Sequence, residues 1–437
     1  MKVAIVGAGI SGMAAAHALR HQARTTLFEA ADCFGGHAHT VDVTLPGPDG
    51  KPVRHGVDTG FLVYNERTYP RLIALFQELG VPTVPSDMSF SVQVPRAGRQ
   101  PLEWSGTNLS TVFAQRSNLL RPAFWSMLRD LMRFNKLATR LAQSRAAADS
   151  ADMLQPLGTF LDRHGFGTPF RDWYLLPMLG CIWSCPTDQM LRFPTATLVR
   201  FCHNHGLLQV VDRPQWFTVA GGSQQYVKKI VAGIEDKRLS TPVLRIDRDA
   251  AGVTVSTATG SERFDKVIVA THSDQALRLL AMPTAAESAM LGAIRYQANR
   301  ALLHTDVSVL PRQRAAWSAW NYEAAPPATS GGQSPRVCLH YLLNQLQPLP
   351  WQQPVVVSLN PLAEVDPAKV LAERHWEHPV FDAAAVRAQA DLPALQGLQH
   401  SYFCGAWAGY GFHEDGLAAG QEAARRLIED STLKAAA

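Results

Sequence analysis

The 437-residue chain has little of several features that mark specialised classes of protein. It has six cysteines and no Cys-x-x-Cys pair, so we predict neither a disulfide framework nor a metal site. No apolar run is long enough to cross a bilayer. The formal net charge is only +4, which is too small to indicate nucleic acid as a partner.

These absences also bear on where the protein works. Unpaired cysteines fit a reducing compartment. The first apolar run, residues 2–6, leaves no room for a signal peptide before it. We therefore expect a cytoplasmic protein. A chain of this length is too long for one simple core and suits two closely joined domains.

The first thirty residues hold the strongest motif. The β-branched run Lys2–Val6 predicts a buried parallel strand, and a helical pattern follows over residues 13–19. A Gly-x-Gly-x-x-Gly turn lies between them, and a second apolar run, Thr25–Phe28, ends at Glu29. This order is typical of a dinucleotide-binding unit. Its predicted cofactor-binding residues are Gly7, Ala8, Gly9, Ile10, Ser11, Gly12, Glu29 and Ala30.

Each part of this motif has a physical role. Gly7 makes the tight turn, and Gly9 lets the backbone approach a pyrophosphate. Gly12 allows the helix to pack closely on the strand. The helix N-terminus offers free N–H groups to the phosphates. Glu29 is placed to accept hydrogen bonds from a ribose diol.

A second glycine pair follows the acid closely. A nicotinamide fold does not need it, whereas the longer FAD needs a second stretch of exposed backbone. The segment Asp58–Phe61 resembles a tight turn against a ring system. Together these features favour FAD over NAD. The residues predicted to contact FAD here are Gly35, Gly36, His37, His39, Thr40, Thr59, Gly60, Phe61 and Leu62.

Residues 116–145 carry a long helical pattern with a basic character. Its apolar stripe consists of Leu120, Phe124, Met127, Leu131, Phe134, Ala138 and Leu141. Around the stripe lie Arg116, Arg121, Arg129, Arg133, Lys136, Arg140 and Arg145, against the single acid Asp130. One interpretation is a cap helix with a solvated basic face. The other is a helix at an anionic membrane surface, with Trp125 and Met132 as further apolar contacts.

These motifs, with a C-terminal glycine strand over residues 402–407 and a terminal helix over residues 417–428, resemble the flavin-dependent amine-oxidase superfamily. The resemblance implies an α/β fold: a Rossmann-type FAD-binding domain, glutathione-reductase/amine-oxidase-like, with an interleaved α+β substrate (cap) domain. We expect 1–75, 215–275 and 398–437 in the first domain, and 76–214 and 276–397 in the cap. It also implies FAD. Monoamine oxidases carry a covalent cysteine upstream of the C-terminal glycine strand, and this chain has no cysteine between Cys338 and Cys404, so we expect non-covalent FAD. Further FAD-binding residues are then Val243, Gly405, Ala406, Gly411, Asp415, Gly416 and Leu417.

A narrower likeness concerns the oxidoreductases found beside, or fused N-terminally to, cyclopropane fatty acid synthases. It rests on the segments Ser86–Val92, Phe113–Gln115, Ile182–Pro186, Phe201–Gln209 and Arg213–Val219. This likeness implies an acyl-lipid substrate and such a synthase as a partner. Two departures from the superfamily stand out. His37 follows the paired glycines where many members have Arg, and no lysine occurs between Lys266 and Lys369.

The combined prediction is an FAD-dependent oxidoreductase that desaturates a methyl-branched or unsaturated fatty acyl group, peripheral at the inner face of the membrane. Two alternatives stay open: a double-bond isomerase, and a non-catalytic flavin-bearing partner of the synthase. The candidate catalytic residues are His37, His39 and His413. From the cap, we expect the substrate pocket to include Tyr296, Trp320, Tyr322, His340 and Tyr341.

Overall fold

The computed structural model describes residues 1–96, 98–144, 153, 155–209, 213–325 and 337–436. A five-stranded parallel sheet forms the centre of the Rossmann-type domain. Its strands lie in the order Asp236–Arg238, Arg24–Phe28, Lys2–Val6, Lys266–Val269 and Ser401–Phe403. The sheet thus draws on all three segments predicted for this domain, although the exact domain boundaries stay a prediction.

Both faces of this sheet are covered. On one face pack four helices: Ile10–Leu19, Pro70–Leu79, Gln224–Ala232 and His413–Ala436. On the other lie the antiparallel strands Val243–Asp249, Gly252–Thr257 and Gly260–Phe264, with helices Ser273–Leu279, Ala285–Gly292 and Ala383–Leu395. Parallel strands buried on both faces are apolar throughout, which explains the uninterrupted hydrophobic runs in the sequence.

The cap is built on a seven-stranded mixed sheet. Its strands lie in the order Val370–Val380, Arg295–His304, Val356–Leu359, Cys338–Leu342, Trp320–Glu323, Phe90–Arg96 and Arg99–Ser105. Smaller sheets pair Thr40–Pro46 with Pro52–Asp58, and join Tyr64–Asn65, Trp216–Val219 and Thr83–Ser86. The mixed α/β architecture is the predicted one.

Helices complete the cap. They are Leu109–Val112, Pro122–Gln143, Leu157–Arg163, Thr168–Phe170, Leu176–Trp183, Thr187–Met190, Thr195–Asn204 and Leu343–Leu346. Phe124 and Met127 pack on one face of the seven-stranded sheet, and Phe134 and Ala138 pack in a separate helical core. The basic helix therefore bridges the two halves of the cap.

The single helix predicted over 116–145 is wrong at its N-terminal end. Residues Arg116–Leu120 form a 3₁₀ turn, and the α-helix begins at Pro122. Proline disfavours a helical conformation of the residue before it, and Arg121 is extended. As a result Leu120 is 87% exposed rather than on the buried stripe. Arg145 lies outside the described residues.

The C-terminal helix also differs from its predicted start. It begins at His413, four residues before the expected Leu417. Two glycines inside it permit close packing on helix Ile10–Leu19: a Cβ atom on Gly416 would lie 2.7 Å from the Ile10 side chain, and one on Gly420 would lie 2.0 Å from the Ser11 carbonyl oxygen. No described helix is both long and apolar enough to cross a membrane.

Candidate functional site

A cavity of about 670 Å³ lies between the carboxyl ends of the parallel strands and the cap sheet. Ligands of open α/β sheets bind at this edge of the strands. Many of the predicted cofactor residues line it: Gly7, Gly9, Ile10, Ser11, Glu29, Ala30, Gly36, His37, Thr59, Gly60, Phe61, Leu62, Val243, Gly405, Ala406 and Gly411. The candidate catalytic residue His413 lines it too. Not among its lining residues are Ala8, Gly12, Gly35, His39, Thr40, Asp415, Gly416 and Leu417.

The glycine turn has the shape that its spacing predicts. Gly7 has φ +99°, a backbone conformation that side chains disfavour. No atom outside the neighbouring residues lies within 4 Å of the position that a Cβ atom on Gly9 would take. The helix after the turn begins at Ile10 without a side-chain cap. Its first N–H groups are therefore available to an anion in the cavity.

Glu29 is fixed in place by backbone donors. Its Oε2 accepts a hydrogen bond of 2.8 Å from the Ala8 N–H, and its Oε1 accepts one of 2.9 Å from the Ala31 N–H. The carboxylate is thereby held next to the glycine turn at the cavity wall. A carboxylate has about four acceptor positions, so it retains capacity for a diol.

The second glycine motif lies against the first. A Cβ atom on Gly36 would lie 3.1 Å from the Gly9 Cα, and the Gly35 N–H donates to the Ala8 carbonyl over 3.0 Å. Thr40 lies outside the cavity and stabilises this region, since its hydroxyl donates a hydrogen bond of 2.6 Å to Asp58 Oδ1. Burial raises the pKa of Asp58 to about 6.

Five histidines line the cavity, and the sequence predicted only two of them, His37 and His413. Burial, with His378, His272 and His413 nearby, lowers the pKa of His37 well below its usual value. Burial likewise lowers the pKa of His378 to about 4 and that of His413 to about 3. The rings of these three are therefore neutral at pH 7. His272 and His378 were missed because they lie in no motif: His272 follows the strand Lys266–Val269, and His378 lies in the strand Val370–Val380. His205, at the end of the helix Thr195–Asn204, was not predicted as a site residue.

The three candidate catalytic histidines differ in their contacts. His413 stacks on Phe61, and its Nε2 lies 2.5 Å from the Tyr226 hydroxyl. The Nδ1 of His39 lies 2.8 Å from the Thr59 hydroxyl, outside the main cavity. His37 stacks on Trp376 with ring centroids 4.7 Å apart. Its buried Nε2 has no hydrogen-bond partner among the described residues.

The residues present fit FAD. The open space beside Gly9, the N-terminus of the Ile10 helix and the fixed Glu29 are what an ADP half requires. In addition, the ring nitrogens His37 Nε2 and Trp376 Nε1 are buried in the wall with no partner among the described residues. Buried polar atoms are normally satisfied, so these two indicate a polar ligand.

The cap side of the cavity is aromatic. Tyr296, Trp320 and Tyr341 line it as expected, but Tyr322 and His340 are not among the lining residues. His340 lies on the opposite face of the sheet, because alternate residues of the strand Cys338–Leu342 face opposite sides. Within the described part of the chain, no lysine lines the cavity.

Comparisons with known proteins agree with this geometry. The family model of flavin-containing amine oxidoreductases matches residues 10–428. A protein of Mycobacterium tuberculosis named as a flavin-containing monoamine oxidase is 29% identical over 278 residues, covering 61% of this chain and 56% of that protein. An L-amino acid dehydrogenase of Synechocystis is 26% identical over 290 residues, covering 64% and 57%. The chain thus spans little more than half the length of these curated relatives.

Solved structures share the whole fold at low identity. Cyclohexylamine oxidase from Brevibacterium oxydans has a TM-score of 0.66 at 19% identity, covering 99% of both chains. A fatty acid isomerase from P. acnes that produces CLA has a TM-score of 0.66 at 15% identity, covering 97% of this chain and 98% of that one. This chain belongs to the flavin-containing amine oxidoreductase family, and its cofactor is FAD.

Proposed function

We propose that the protein oxidises a lipid acyl chain and introduces a double bond into an unsaturated or methyl-branched fatty acyl group. The observation that carries this proposal is the apolar wall on the cap side of the cavity. It consists of Met88, Cys181, Ile182, Leu207, Ala301, Val357, Leu359 and Phe381. Such a wall suits a hydrocarbon, because burying apolar surface is the main source of affinity for one.

The charged groups in the wall also favour a neutral substrate over an amine. The carboxylate of Glu29 is held by backbone N–H groups at the glycine turn. Glu377 lies 3.5 Å from His272 Nδ1, and Arg278 donates to Asp274 over 2.7 Å. Glu377 is thus the one carboxylate on the cap side among the described lining residues, and it lies beside His272, whereas an ammonium group needs an acceptor of its own.

Bound FAD supplies an acceptor for the hydride that leaves one carbon of the acyl chain. The proton from the neighbouring carbon then needs a base as the double bond forms. His37 suits this role, since its ring is neutral and its Nε2 is unpartnered at the cavity wall. His39 and His413 use a ring nitrogen in contacts with Thr59 and Tyr226. An external acceptor must take the two electrons before the next turnover.

Anaerobic stopped-flow mixing tests this proposal. With a branched or unsaturated acyl lipid, the flavin absorbance should bleach in one turnover and recover only when an acceptor is added. An isomerase would return the hydride and turn over without an acceptor, with transient bleaching at most. Bleaching by small amines and not by acyl lipids would refute the lipid proposal. His37→Gln should slow the bleaching when the rate is expressed per bound flavin.

A membrane is the natural source of an acyl-lipid substrate. One surface of the cap has the composition of a membrane-binding surface. We define the Trp125 face as the exposed side chains Leu119, Leu120, Trp125, Arg129, Met132 and Lys136. Residues 125, 129, 132 and 136 follow one stripe of the helix by their spacing. Trp125 also donates from its Nε1 to the Leu119 carbonyl, which joins the helix to the 3₁₀ turn.

The positive charge of the Trp125 face favours an anionic lipid surface as its partner. The one acid of residues 116–143, Asp130, is buried and accepts from Arg133 over 2.7 Å and from the Gly167 N–H over 3.1 Å. Arg129 Nε also lies 3.7 Å from Asp130 Oδ1, but the Arg129 side chain is 70% exposed and faces the solvent, as does Lys136. Exposed Trp and Leu among basic residues are typical of segments that lie at a membrane interface. A cyclopropane fatty acid synthase acting on the same lipids remains the proposed protein partner.

A non-catalytic partner subunit is the second candidate for the whole chain. Turnover of the isolated protein separates the two, because a subunit that only delivers lipid or electrons shows none without its synthase. We expect turnover in isolation, since one chain contributes both the cofactor wall and the apolar wall of the cavity.

A further inference from the structure

A second polar cluster lies on the face of the cap sheet that points away from the cavity. Along the strand Cys338–Leu342, Leu339 packs in the core on the cavity side. Leu342 packs in a separate small core on the opposite face. Side chains alternate along a strand, so Cys338 and His340 share the face of Leu342. Glu323 of the neighbouring strand pairs directly with Cys338.

Three potential metal ligands converge here. His340 Nε2 lies 3.2 Å from Glu323 Oε2 and 3.3 Å from Cys338 Sγ, and the sulfur lies 3.6 Å from the same carboxylate oxygen. Each of the three residues thus directs one donor atom at a common point. This cluster is separate from the FAD site, and none of its three residues lines the cavity.

We propose that Glu323, Cys338 and His340 bind a divalent transition-metal ion, with zinc the best match. Zinc bonds to nitrogen and oxygen are about 2.0–2.2 Å and those to sulfur about 2.3 Å, so a tetrahedral site separates its ligand atoms by about 3.3–3.6 Å. The three distances in the triangle agree with those separations. A mixed set of thiolate, imidazole and carboxylate selects zinc over magnesium or calcium, which prefer oxygen ligands.

The surroundings of His340 hold its ring in position for this role. Its Nδ1 lies 2.6 Å from the Ser358 hydroxyl, which also lies 2.7 Å from His304 Nε2. The Asp306 N–H donates to His304 Nδ1 over 3.1 Å. Metal-binding histidines almost always donate their second ring N–H to such a neighbour. An Nδ1–H bond to Ser358 leaves Nε2 free for the metal.

The exposure of the ligand side chains indicates that the fourth coordination position of the ion is open to solvent. The side chain of His340 is fully buried, while that of Glu323 is 26% exposed. Among the described residues the proposed ion therefore has three protein ligands, and a water would complete the site on the side of Glu323. The ion would link the strands Trp320–Glu323 and Cys338–Leu342 at their paired ends. This inference does not depend on the acyl substrate.

Cobalt binding tests the proposal directly. Flavin-bound protein is treated with a chelator, desalted and titrated with Co²⁺, and difference spectra are recorded. We expect one equivalent of Co²⁺, a near-ultraviolet sulfur-to-cobalt charge-transfer band, and d–d bands in the red, where flavin does not absorb. One equivalent of Zn²⁺ should abolish the bands. It should also raise the Tm of the wild-type protein.

Matched variants separate metal binding from a hydrogen-bonded cluster. Cys338→Ser should lose the charge-transfer band, whereas Cys202→Ser, at another buried cysteine, should keep it. Ser358→Ala should weaken Zn²⁺ binding about 10–100-fold, as loss of a supporting contact does. If Cys338→Ser does not fold, Glu323→Gln, at the partly exposed ligand, serves instead and should weaken binding at least about tenfold.

Two results would overturn the proposal. One is the absence of cobalt bands in the folded wild-type protein. The other is equal Co²⁺ uptake by the wild type and by Glu323→Gln with identical spectra. Either result would mean that the triangle is a hydrogen-bond network only. Flavin content, measured in parallel, reports whether each variant has folded.

Discussion

A Cβ atom on Gly12 would lie only 1.8 Å from the carbonyl oxygen of Gly7. The first helix therefore packs on the turn before it more closely than any residue with a side chain allows. The middle glycine of the same motif is different. A Cβ atom on Gly9 would meet no atom within 4 Å outside its immediate neighbours, because it would point into the open cavity. Two glycines of one motif thus serve folding and binding separately.

This difference predicts opposite failures for two variants. Gly9→Val should fold but lose FAD, because its side chain fills the space where a pyrophosphate approaches. Gly12→Val should destabilise the fold itself, since it collides with backbone that cannot move aside. Circular dichroism and flavin absorbance of the purified proteins distinguish them. A Gly9→Val protein that retains FAD would contradict the assignment of the cofactor site.

FAD should be released completely by acid. Cys404, the cysteine nearest the C-terminal flavin motif, is buried and does not line the cavity, and burial raises its pKa to about 12. Cys181 lines the cavity, but burial raises the pKa of this thiol well above its usual value. A protonated thiol is a poor nucleophile. Precipitation with acid should therefore give a colourless pellet and a yellow supernatant, and flavin retained in the pellet would contradict this prediction.

Acidification should destabilise the protein between about pH 6.5 and pH 4. Burial lowers the pKa of His205 and of His378 to about 4, and that of His413 to about 3. In this window the unfolded chain binds protons that the folded chain does not. The free energy of unfolding therefore decreases as the pH is lowered. Asp58 and Asp415 act in the opposite direction, because burial raises the pKa of each to about 6.

His205→Asn isolates one of these contributions. Each such histidine adds a slope of about 1.4 kcal/mol per pH unit to the free energy of unfolding. Asparagine does not titrate, yet its amide can still donate to the Phe201 carbonyl that His205 contacts over 3.0 Å. Urea unfolding at pH 7, 6 and 5 with excess FAD gives the free energy of unfolding at each pH. Its pH slope should be shallower in His205→Asn than in the wild type by the equivalent of about one proton. An unchanged slope would mean that His205 is protonated in the folded state.

The Trp125 face should bind anionic vesicles in a salt-sensitive manner. Each basic residue near such a surface contributes about 1 kcal/mol. Arg129→Glu with Lys136→Glu should therefore reduce binding by at least about thirtyfold at low salt. Arg133 is left unchanged because it is the closer partner of buried Asp130, at 2.7 Å against 3.7 Å for Arg129, so its loss would disturb the packing of the helix as well as the surface. Flotation with anionic vesicles measures the effect.

Two further variants control this experiment. Arg245→Glu, on the antiparallel sheet of the Rossmann-type domain, should leave flotation unchanged. Trp125→Ser should weaken binding even at high salt, because it removes apolar contact rather than charge. If the wild-type protein does not float at low salt, the helix Pro122–Gln143 is only a part of the cap.

Local motifs were readable from the sequence. The strand Lys2–Val6, the glycine turn and Glu29 lie within thirty residues, and their contacts depend on backbone conformation and short spacing. The break at Pro122 was also present in the sequence, since proline disfavours helix in the residue before it. A purely periodic interpretation of residues 116–145 overlooked that signal.

The histidines beside FAD required the tertiary structure. His272 follows the strand Lys266–Val269, and His378 lies in the strand Val370–Val380, more than a hundred positions away. Only the packing of the cap sheet over the Rossmann-type domain brings both to the ring of His37. No spacing rule connects residues that far apart in the chain.

The sequence by itself determined the family, the cofactor and the local geometry of the glycine turn, because these follow from backbone preferences over a few residues. The tertiary structure alone decided which face of each cap strand meets the cavity. Alternation along Cys338–Leu342 separates His340 from Tyr341 but does not say which of them faces FAD. Packing against the helices settled that choice, placing Tyr341 at the cavity and His340 beside Cys338 and Glu323.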